Sequence, residues 1–401
     1  MNKKAPPREP KISIEHVYKI FGEDPQSVLE RVKAGADKRE ILEETGHVIG
    51  IRDISLKIAP GETFVVMGLS GSGKSTLIRH INRLIDPTAG RILIDGDDVL
   101  TLDEKQLREL RRHKISMVFQ RFALLPHKTV LANVMYPLKV SGVADDKAKA
   151  AAMEQIETVG LAGYEERYPR HLSGGMQQRV GLARALATSA DILLMDEAFS
   201  ALDPLIRSDM QAQLKELQAK LQKTIVFITH DLDEALRLGD HIAILNDGEL
   251  RQVGTGEDIL LHPADDYVER FVRDVNRGRV VTLASTLREA TTLPASELSK
   301  ARLATLLDGE GVESVVVVDG DNRPVAAVTE HLLYTEREAP ESWWNSADNL
   351  PTPETARDDQ VLSEVLSRYK QNATPLVIVD HNGAVVGKLS PSDALEALTN
   401  D

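Results

Sequence analysis

Cysteine is absent from all 401 residues, which removes disulfide frameworks, thiolate metal sites and cysteine nucleophiles together. Aromatic residues make up only 4%, too few to stack a run of bases. Acidic side chains outnumber basic ones, 62 against 48, for a formal net charge of −14. A chain of that sign is repelled by a phosphate backbone, so no nucleic-acid partner is expected. No apolar stretch approaches the roughly 18 residues of a membrane span. The start, Met1-Asn2-Lys3-Lys4-Ala5-Pro6-Pro7, has no apolar segment behind it of the kind a secretory signal carries. What is present is ordinary: 42% hydrophobic and 27% charged residues, the balance of a soluble globular chain. At about 150 residues per domain, two or three domains are expected, in a soluble, cytoplasmic protein.

Residues 1–10 are rich in lysine and proline and read as a flexible tail. Weak alternation over residues 11–18 predicts a first strand. An insert at 23–50 follows, helical from Asp24 to about Gly46, with Val28, Leu29, Val32, Ile41 and Leu42 at helix spacing. Residues 63–67 predict a strand, 68–73 a glycine-rich loop, and Lys74 opens a helix. Residues 121–188 read as mostly helical. Residues 192–195 and 225–228 are short, wholly apolar runs, as buried parallel strands require. Strands alternating with helices predict an α/β sheet covered on both faces.

The character changes near residue 279. Residues 275–401 hold 20 acidic against 11 basic side chains, a net of −9, and an internal repeat at an offset of 61 residues. Val315-Val316-Val317-Val318-Asp319 corresponds to Leu376-Val377-Ile378-Val379-Asp380, and residues 325–329 to 386–390. Each unit reads helix, strand, turn, strand, helix, and the pair is expected to form a separate, smaller α/β domain of regulatory size.

Gly68-Leu69-Ser70-Gly71-Ser72-Gly73-Lys74-Ser75 matches the phosphate-binding pattern G-x-x-x-x-G-K-[ST] between a predicted strand and a predicted helix. Its glycines let backbone N–H groups turn inward around phosphates, and the helix after them, through Thr76, adds its positive end. Lys74 supplies a point charge for the β and γ phosphates and Ser75 a hydroxyl for Mg²⁺. The strand at 192–195 runs into Asp196-Glu197. Phosphoryl transfer to water needs one carboxylate for hydrated Mg²⁺ and another to orient and deprotonate the water. Asp196 fits the first role and Glu197 the second. Alone, an acidic pair at a strand end is more often a solvated cap; beside the loop at 68–75 it reads as catalytic.

Leu172-Ser173-Gly174-Gly175-Met176 discriminates further. Ser173 as a plain helix N-cap would explain one bond, but a cap does not need two glycines behind it. Here the sequence resembles the ATP-binding cassette (ABC) family, whose signature is LSGGQ-like; Met176 stands where glutamine is usual. Gln120 after the strand at 115–119, Ser200-Ala201-Leu202-Asp203 after Glu197, and His230 after the strand at 225–228 follow in the family's order. The resemblance implies a RecA-like P-loop NTPase core over residues 11–275, with a helical subdomain at about 121–188. It implies a homodimer of subunits meeting head to tail, with each ATP between the loop of one and the signature of the other. Ser173 and Gly175, with Gly174 between them, would bind the γ-phosphate across the dimer, and His230 would contact it within one subunit. Gln120 would reach Mg²⁺ and the water, and Asp203 would couple the two sites. Phe21 would stack on adenine; the alternative, with Tyr18 one turn away, is a core position.

A cassette without a membrane span must act on another protein. Translation-factor relatives carry two cassettes and this chain one. DNA-repair relatives separate loop and signature by long coiled coils, whereas Gly73 and Ser173 are 100 positions apart. Transport is the better reading. Residues 197–207, 122–127, 230–235 and 67–76 are similar to the glycine betaine/L-proline importer ATPases of bacteria. That similarity implies uptake of osmoprotective quaternary amines or proline, with an integral membrane permease and, indirectly, a substrate-binding protein as partners, at the cytoplasmic face of the inner membrane. Importers of methionine or other polar amino acids are the alternative. The C-terminal repeat resembles a pair of CBS modules, 279–340 and 341–401, which commonly bind adenine nucleotides between them. Gly387, Ser390 and Asp393 match the nucleotide-holding positions. In the first module Ala326 stands for Gly387 and Leu332 for Asp393, with Thr329 retained. This leaves at most one nucleotide site, or a purely structural tandem. A net of −9 opposes attraction to anionic lipid.

Overall fold

The computed structural model describes residues 9–120, 122–200, 202–273, 275–309, 312–368 and 375–398. Most of the expected tail, residues 1–8, lies outside the described residues. The chain divides into two units, Met1–Arg273 and Asp274–Asp401.

In the first unit the strands are β1 (Ile12–Phe21), β2 (Val48–Ile58), β3 (Thr63–Met67), β4 (Ala89–Ile94), β5 (Asp97–Asp98), β6 (Ile115–Val118), β7 (Ile192–Asp196), β8 (Thr224–Thr229), β9 (His241–Asn246) and β10 (Glu249–Gly254). The helices are α1 (Leu29–Lys33), α2 (Lys38–Thr45), α3 (Lys74–Ile81), α4 (Glu104–His113), α5 (Val130–Val140), α6 (Asp145–Thr158), α7 (Gly174–Leu186), α8 (Pro204–Leu221), α9 (Leu232–Leu238), α10 (Gly256–Leu261) and α11 (Asp266–Val272). One sheet runs β10-β9-β3-β8-β7-β6 and the other β2-β1-β4-β5. β3, β6, β7, β8 and β9 are mutually parallel along the first sheet. Every residue of β3, β7 and β8 is buried, which is why they read as continuous apolar runs rather than alternating ones. The second sheet is antiparallel. A single core, including Ile12, Ile54, Ile92, Leu77, Ile78, Leu194 and Val226, joins both sheets through α3.

Register places the chemistry. Met67 pairs with Thr229, Asp196 with Ile228, and Val118 with Met195. The carboxyl ends of four adjacent strands therefore align, and the loops leaving them carry Gly68, His230, Glu197 and Gln120. This is the edge at which open parallel sheets bind ligands.

The insert is helical over Pro25–Val28, Leu29–Lys33 and Lys38–Thr45, broken at 34–37, and its end, from Val48, is strand β2. Val28, Leu29, Val32 and Ile41 pack with Tyr18, Ile20 and Ile49. Leu42, expected on the same face, is 48% exposed. In so short a helix, the face is set by one or two turns, and Ile41 takes the buried place. Helices α5, α6 and α7 fill much of the segment read as the helical subdomain.

In the second unit the strands are β11 (Thr291–Pro294), β12 (Ser314–Val318), β13 (Pro324–Thr329), β14 (Thr355–Arg357), β15 (Leu376–Val379) and β16 (Val385–Leu389). Its helices are α12 (Leu283–Thr286), α13 (Lys300–Leu307), α14 (Glu330–Thr335), α15 (Glu341–Trp344), α16 (Leu362–Val365) and α17 (Pro391–Leu398). Two three-stranded sheets, β11-β12-β13 and β14-β15-β16, have the same mixed pairing. Each repeat thus begins with a strand, β11 or β14, before its helix, and that strand is absent from the sequence reading. The hydrophobic cores do not divide at residue 340. Trp344 and Leu350 pack with the first repeat, and Leu283 with the second. The chain exchanges its flanking segments between the repeats because each three-stranded sheet alone leaves one apolar face to cover.

Gly387 marks where such a segment lies closest. A Cβ there would meet the Arg288 carbonyl oxygen and Leu287 Cδ1, each at 2.7 Å, while Arg288 and Lys388 exchange backbone hydrogen bonds of 2.8 Å in both directions. Gly387→Ala is expected to destabilise the fold by about 1–3 kcal/mol, seen as a lower thermal midpoint of the full chain by circular dichroism. An unshifted midpoint would show that residues 287–288 can move away freely.

Candidate functional site

The loop after β3 closes on α3 through Gly73, at φ +96, a left-handed turn that a side chain disfavours. A Cβ at Gly73 would also lie 2.7 Å from the Gly50 carbonyl oxygen. The first amides of α3 consequently face the loop interior, which suits an anion. Lys74 is buried and its Nζ donates to the carbonyls of Gly68 at 2.7 Å and Leu69 at 2.9 Å. Burial pushes its pKa below lysine's ordinary value, against the pull of Glu197 and Asp196. Ser70 and Gly71 are exposed on the outer turn of the loop, and Thr76 is half-buried in the first turn of α3.

Two strands away, the buried Asp196 carboxylate accepts from Ser75 Oγ at 2.9 Å and from Arg79 Nη2 at 3.1 Å. Arg79 lies one turn beyond Ser75 on α3; that i, i+4 spacing is the only signal the sequence carried for it. Hard oxygen donors from one hydroxyl and one carboxylate suit Mg²⁺, which takes few protein ligands and completes its shell with water and phosphate. Among the described residues no group of three or more histidine, cysteine, aspartate or glutamate side chains could hold a metal by itself.

Glu197 has a left-handed backbone, φ +45, a conformation held where surrounding structure over-determines it. Its Oε2 accepts from Gln120 Nε2 at 2.9 Å and lies 3.6 Å from His230 Nδ1. The structure therefore sets Gln120 on the Glu197 carboxylate rather than on the Ser75–Asp196 pair. His230 is exposed at the end of β8, and behind it the buried Glu234 accepts from Thr229 Oγ1 and from Gln211 Nε2.

Phe21 ends β1 at 40% exposure, not in the core. A Cβ on Gly50 would touch its ring at 2.6 Å, so the ring covers Gly50, whose carbonyl abuts Gly73. Ser173 caps α7, accepting from the Met176 amide at 3.3 Å, and Asp203 caps α8, accepting from Ile206 N at 3.0 Å. Both, with Gly174, are exposed. Gly175 packs on Ile206 and Leu202, so residues 173–175 have neighbours different from those of the phosphate loop.

The segment after Gln120 is strained. Phe122 and Ala123 have φ +52 and +46, costing roughly 1–2 kcal/mol each. Arg184 of α7 donates to both carbonyls, to Ala123 O at 2.6 Å and Phe122 O at 3.1 Å. Nothing in the sequence pattern pointed to Arg184.

In the second unit, Ser390 and Asp393 satisfy each other. Ser390 Oγ donates to Asp393 Oδ2 at 2.7 Å and accepts from the Asp393 amide, and Arg288 Nε donates to Asp393 Oδ1 at 2.9 Å. Burial alone would raise the Asp393 pKa; the bonds from Ser390 and the Arg288 charge outweigh it and hold the carboxyl below its usual range. Thr329 likewise caps α14.

A phosphate loop, a Ser75 hydroxyl on the buried Asp196 and a Gln120–Glu197–His230 cluster at the carboxyl edge of one sheet define an ATP-binding cassette ATPase. A family description, "ABC transporter", matches residues 51–200. A solved dimeric structure of a bacterial ABC transporter cassette superposes with a TM-score of 0.52 at 34% identity, over 61% of this chain and 98% of that one. The glycine betaine transport ATP-binding protein OpuAA of Bacillus subtilis is 45% identical over 390 residues, 95% of this chain and 92% of its own length. The glycine betaine/proline betaine transport system ATP-binding protein ProV of Escherichia coli is 46% identical over 397 residues, 98% of each. The chain belongs to the family of ATP-binding subunits of glycine betaine-type ABC transporters.

Proposed function

We propose that this chain hydrolyses ATP to energise uptake of glycine betaine or proline-type osmoprotectants through a partner permease. The observation that carries the hydrolytic part is the convergence of Gln120 and His230 on Glu197 beside the Ser75–Asp196 pair. In this reading Glu197 takes the proton of the attacking water, Gln120 orients that water, and His230 senses the γ-phosphate. Lys74 and the loop amides of residues 68–76 neutralise the phosphates. Ser75 and Asp196 would hold Mg²⁺, which when bound draws charge from the β and γ phosphates. Phe21 stacks on adenine.

The exposed Ser173 and Gly174, with the half-buried Gly175 behind them, act on the nucleotide of a second copy, with Asp203 between the two sites. Among the described residues no helix is long and apolar enough to cross a membrane; in this reading the permease is a separate chain, with this subunit peripheral on its cytoplasmic side. A groove of about 500 Å³ lined by Leu84, Tyr136, Pro137 and Val140 is its seat in our reading. Leu84, Tyr136 and Val140 are each about half exposed there, the kind of apolar patch that marks a partner surface. For the second unit, the mutual satisfaction of Ser390 and Asp393 favours a structural cap over a nucleotide ligand set.

Asp196→Asn tests the metal assignment. It is expected to raise the Mg²⁺ concentration needed for half-maximal hydrolysis by about 10–100-fold. An unchanged Mg²⁺ requirement would remove Asp196 from that role.

A further inference from the structure

Gln120 approaches Glu197 from a segment that is held at two posts. Downstream, the fully buried Asn133 on α5 donates its amide to the carbonyls of Leu125, Lys128 and Thr129. Two positions after Gln120, Phe122, whose N–H donates to the Phe119 carbonyl, and Ala123, both left-handed, present adjacent carbonyls to the guanidinium of Arg184. Gly181, one turn earlier on the same helix, also lies against the first of these carbonyls, its Cβ position 3.6 Å from the Phe122 oxygen. Arg184 sits on α7, the helix that begins with Gly174 behind the cap Ser173. Phe122 also reaches back to the start of α7, 3.9 Å from the Cβ position of Gly174.

We propose that Arg184 is a positioning residue for hydrolysis, whose grip on the Phe122 and Ala123 carbonyls keeps this segment left-handed and so holds Gln120 against Glu197. A guanidinium serves two carbonyls from separate nitrogens of a rigid planar fork and so fixes their relative orientation, whereas a lysine ammonium donates from a single freely rotating point and does not. Without the grip the two residues relax toward conformations favoured by L-amino acids, and the turn that carries Gln120 moves with them. The same residue links the signature end of α7 to the base carboxylate. A displacement of α7 when a second subunit engages Ser173 would thus be felt at Glu197. The proposal rests on Glu197 being the base, and the test separates the two.

The experiment is steady-state ATP hydrolysis by the full chain, with kcat and KM measured for Arg184→Lys, Ala123→Gly, the double variant, and Glu197→Gln as reference. Arg184→Lys is expected to lower kcat by about tenfold or more while KM for ATP stays within about twofold. Adding Ala123→Gly, which accepts a left-handed backbone without strain, is expected to restore much of that kcat. A merely structural arginine would not be rescued by a glycine at an exposed position. Ala123→Val, on the surface and away from any core, should itself lower kcat, because a β-branched residue resists positive φ. This arm stands even if the Arg184 variants do not fold. Unchanged kcat in both Arg184→Lys and Ala123→Val, or a loss that Ala123→Gly does not recover, overturns the proposal. Retained hydrolysis in Glu197→Gln would instead overturn the site reading on which it rests.

Discussion

Glu197→Gln is expected to bind ATP normally and to lose nearly all hydrolysis. The substitution keeps the shape of the side chain and its reach to Gln120 and His230, now 2.9 and 3.6 Å from its carboxylate. What it removes is the ability to accept a proton. General-base catalysis by a placed carboxylate is worth on the order of 10²–10⁴ in rate, and the loss should fall in kcat with KM little changed. Because the phosphate loop, Lys74, Ser75 and Asp196 are untouched, nucleotide-driven association of two copies should proceed and then stall. Size-exclusion chromatography with ATP and Mg²⁺ would show a dimer that persists in Glu197→Gln and is transient in the unaltered chain. Turnover at the normal rate would show that another group takes the proton. The left-handed φ of Glu197 fits this assignment, since strain of that kind is tolerated where an exact direction of the side chain matters.

The sequence disclosed the site where chemistry is local and hid it where packing is long-range. Gly68–Ser75 could be read because one turn of loop and one helix start hold the whole of the G-x-x-x-x-G-K-[ST] pattern. Asp196 and Glu197 could be read because β7 is buried along its whole length, so its apolar run stops where the carboxylates begin. Arg79 and Arg184 could not, since each acts on a partner more than 60 positions away, and an arginine on a helix usually means a solvated face. The repeat in the second unit was visible through β12 and β15, whose buried valines and isoleucine stand out. β11 and β14 were not, being strands of four and three residues that each bury a single side chain. The exchange of Leu283 and Trp344 between the two cores has no local signature at all. Phe21 was ambiguous for a similar reason. Its neighbours Tyr18 and Ile20 are buried, and only the position at the end of β1 turns its ring outward over Gly50.

Lys74→Ala is expected to fail earlier than Glu197→Gln, at nucleotide binding, and with it to abolish transport. The ammonium is the one basic group inside the loop, held by the Gly68 and Leu69 carbonyls. Asp196 and Glu197 both act on it electrostatically, so removing it takes away the loop's own positive charge and leaves those carboxylates less well balanced beside a bound triphosphate. Truncating one partner of a desolvated charge pair costs about 2–5 kcal/mol, so ATP affinity should fall on the order of a hundredfold or more. The paired measurement is uptake of labelled glycine betaine at raised osmolarity, in cells stripped of other betaine importers and carrying either the unaltered chain with its permease or Lys74→Ala. Uptake with the unaltered chain and background counts with the variant, alongside weak ATP binding by the purified variant, would tie the cargo to this ATPase. If the variant loses ATP binding yet the unaltered chain never supports betaine uptake, the hydrolytic site stands and the cargo is wrong, and methionine and other polar amino acids become the next substrates to label. If the variant binds ATP as tightly as the unaltered chain, the phosphate-binding role of Lys74 fails, because no other side chain in the loop could supply the missing charge.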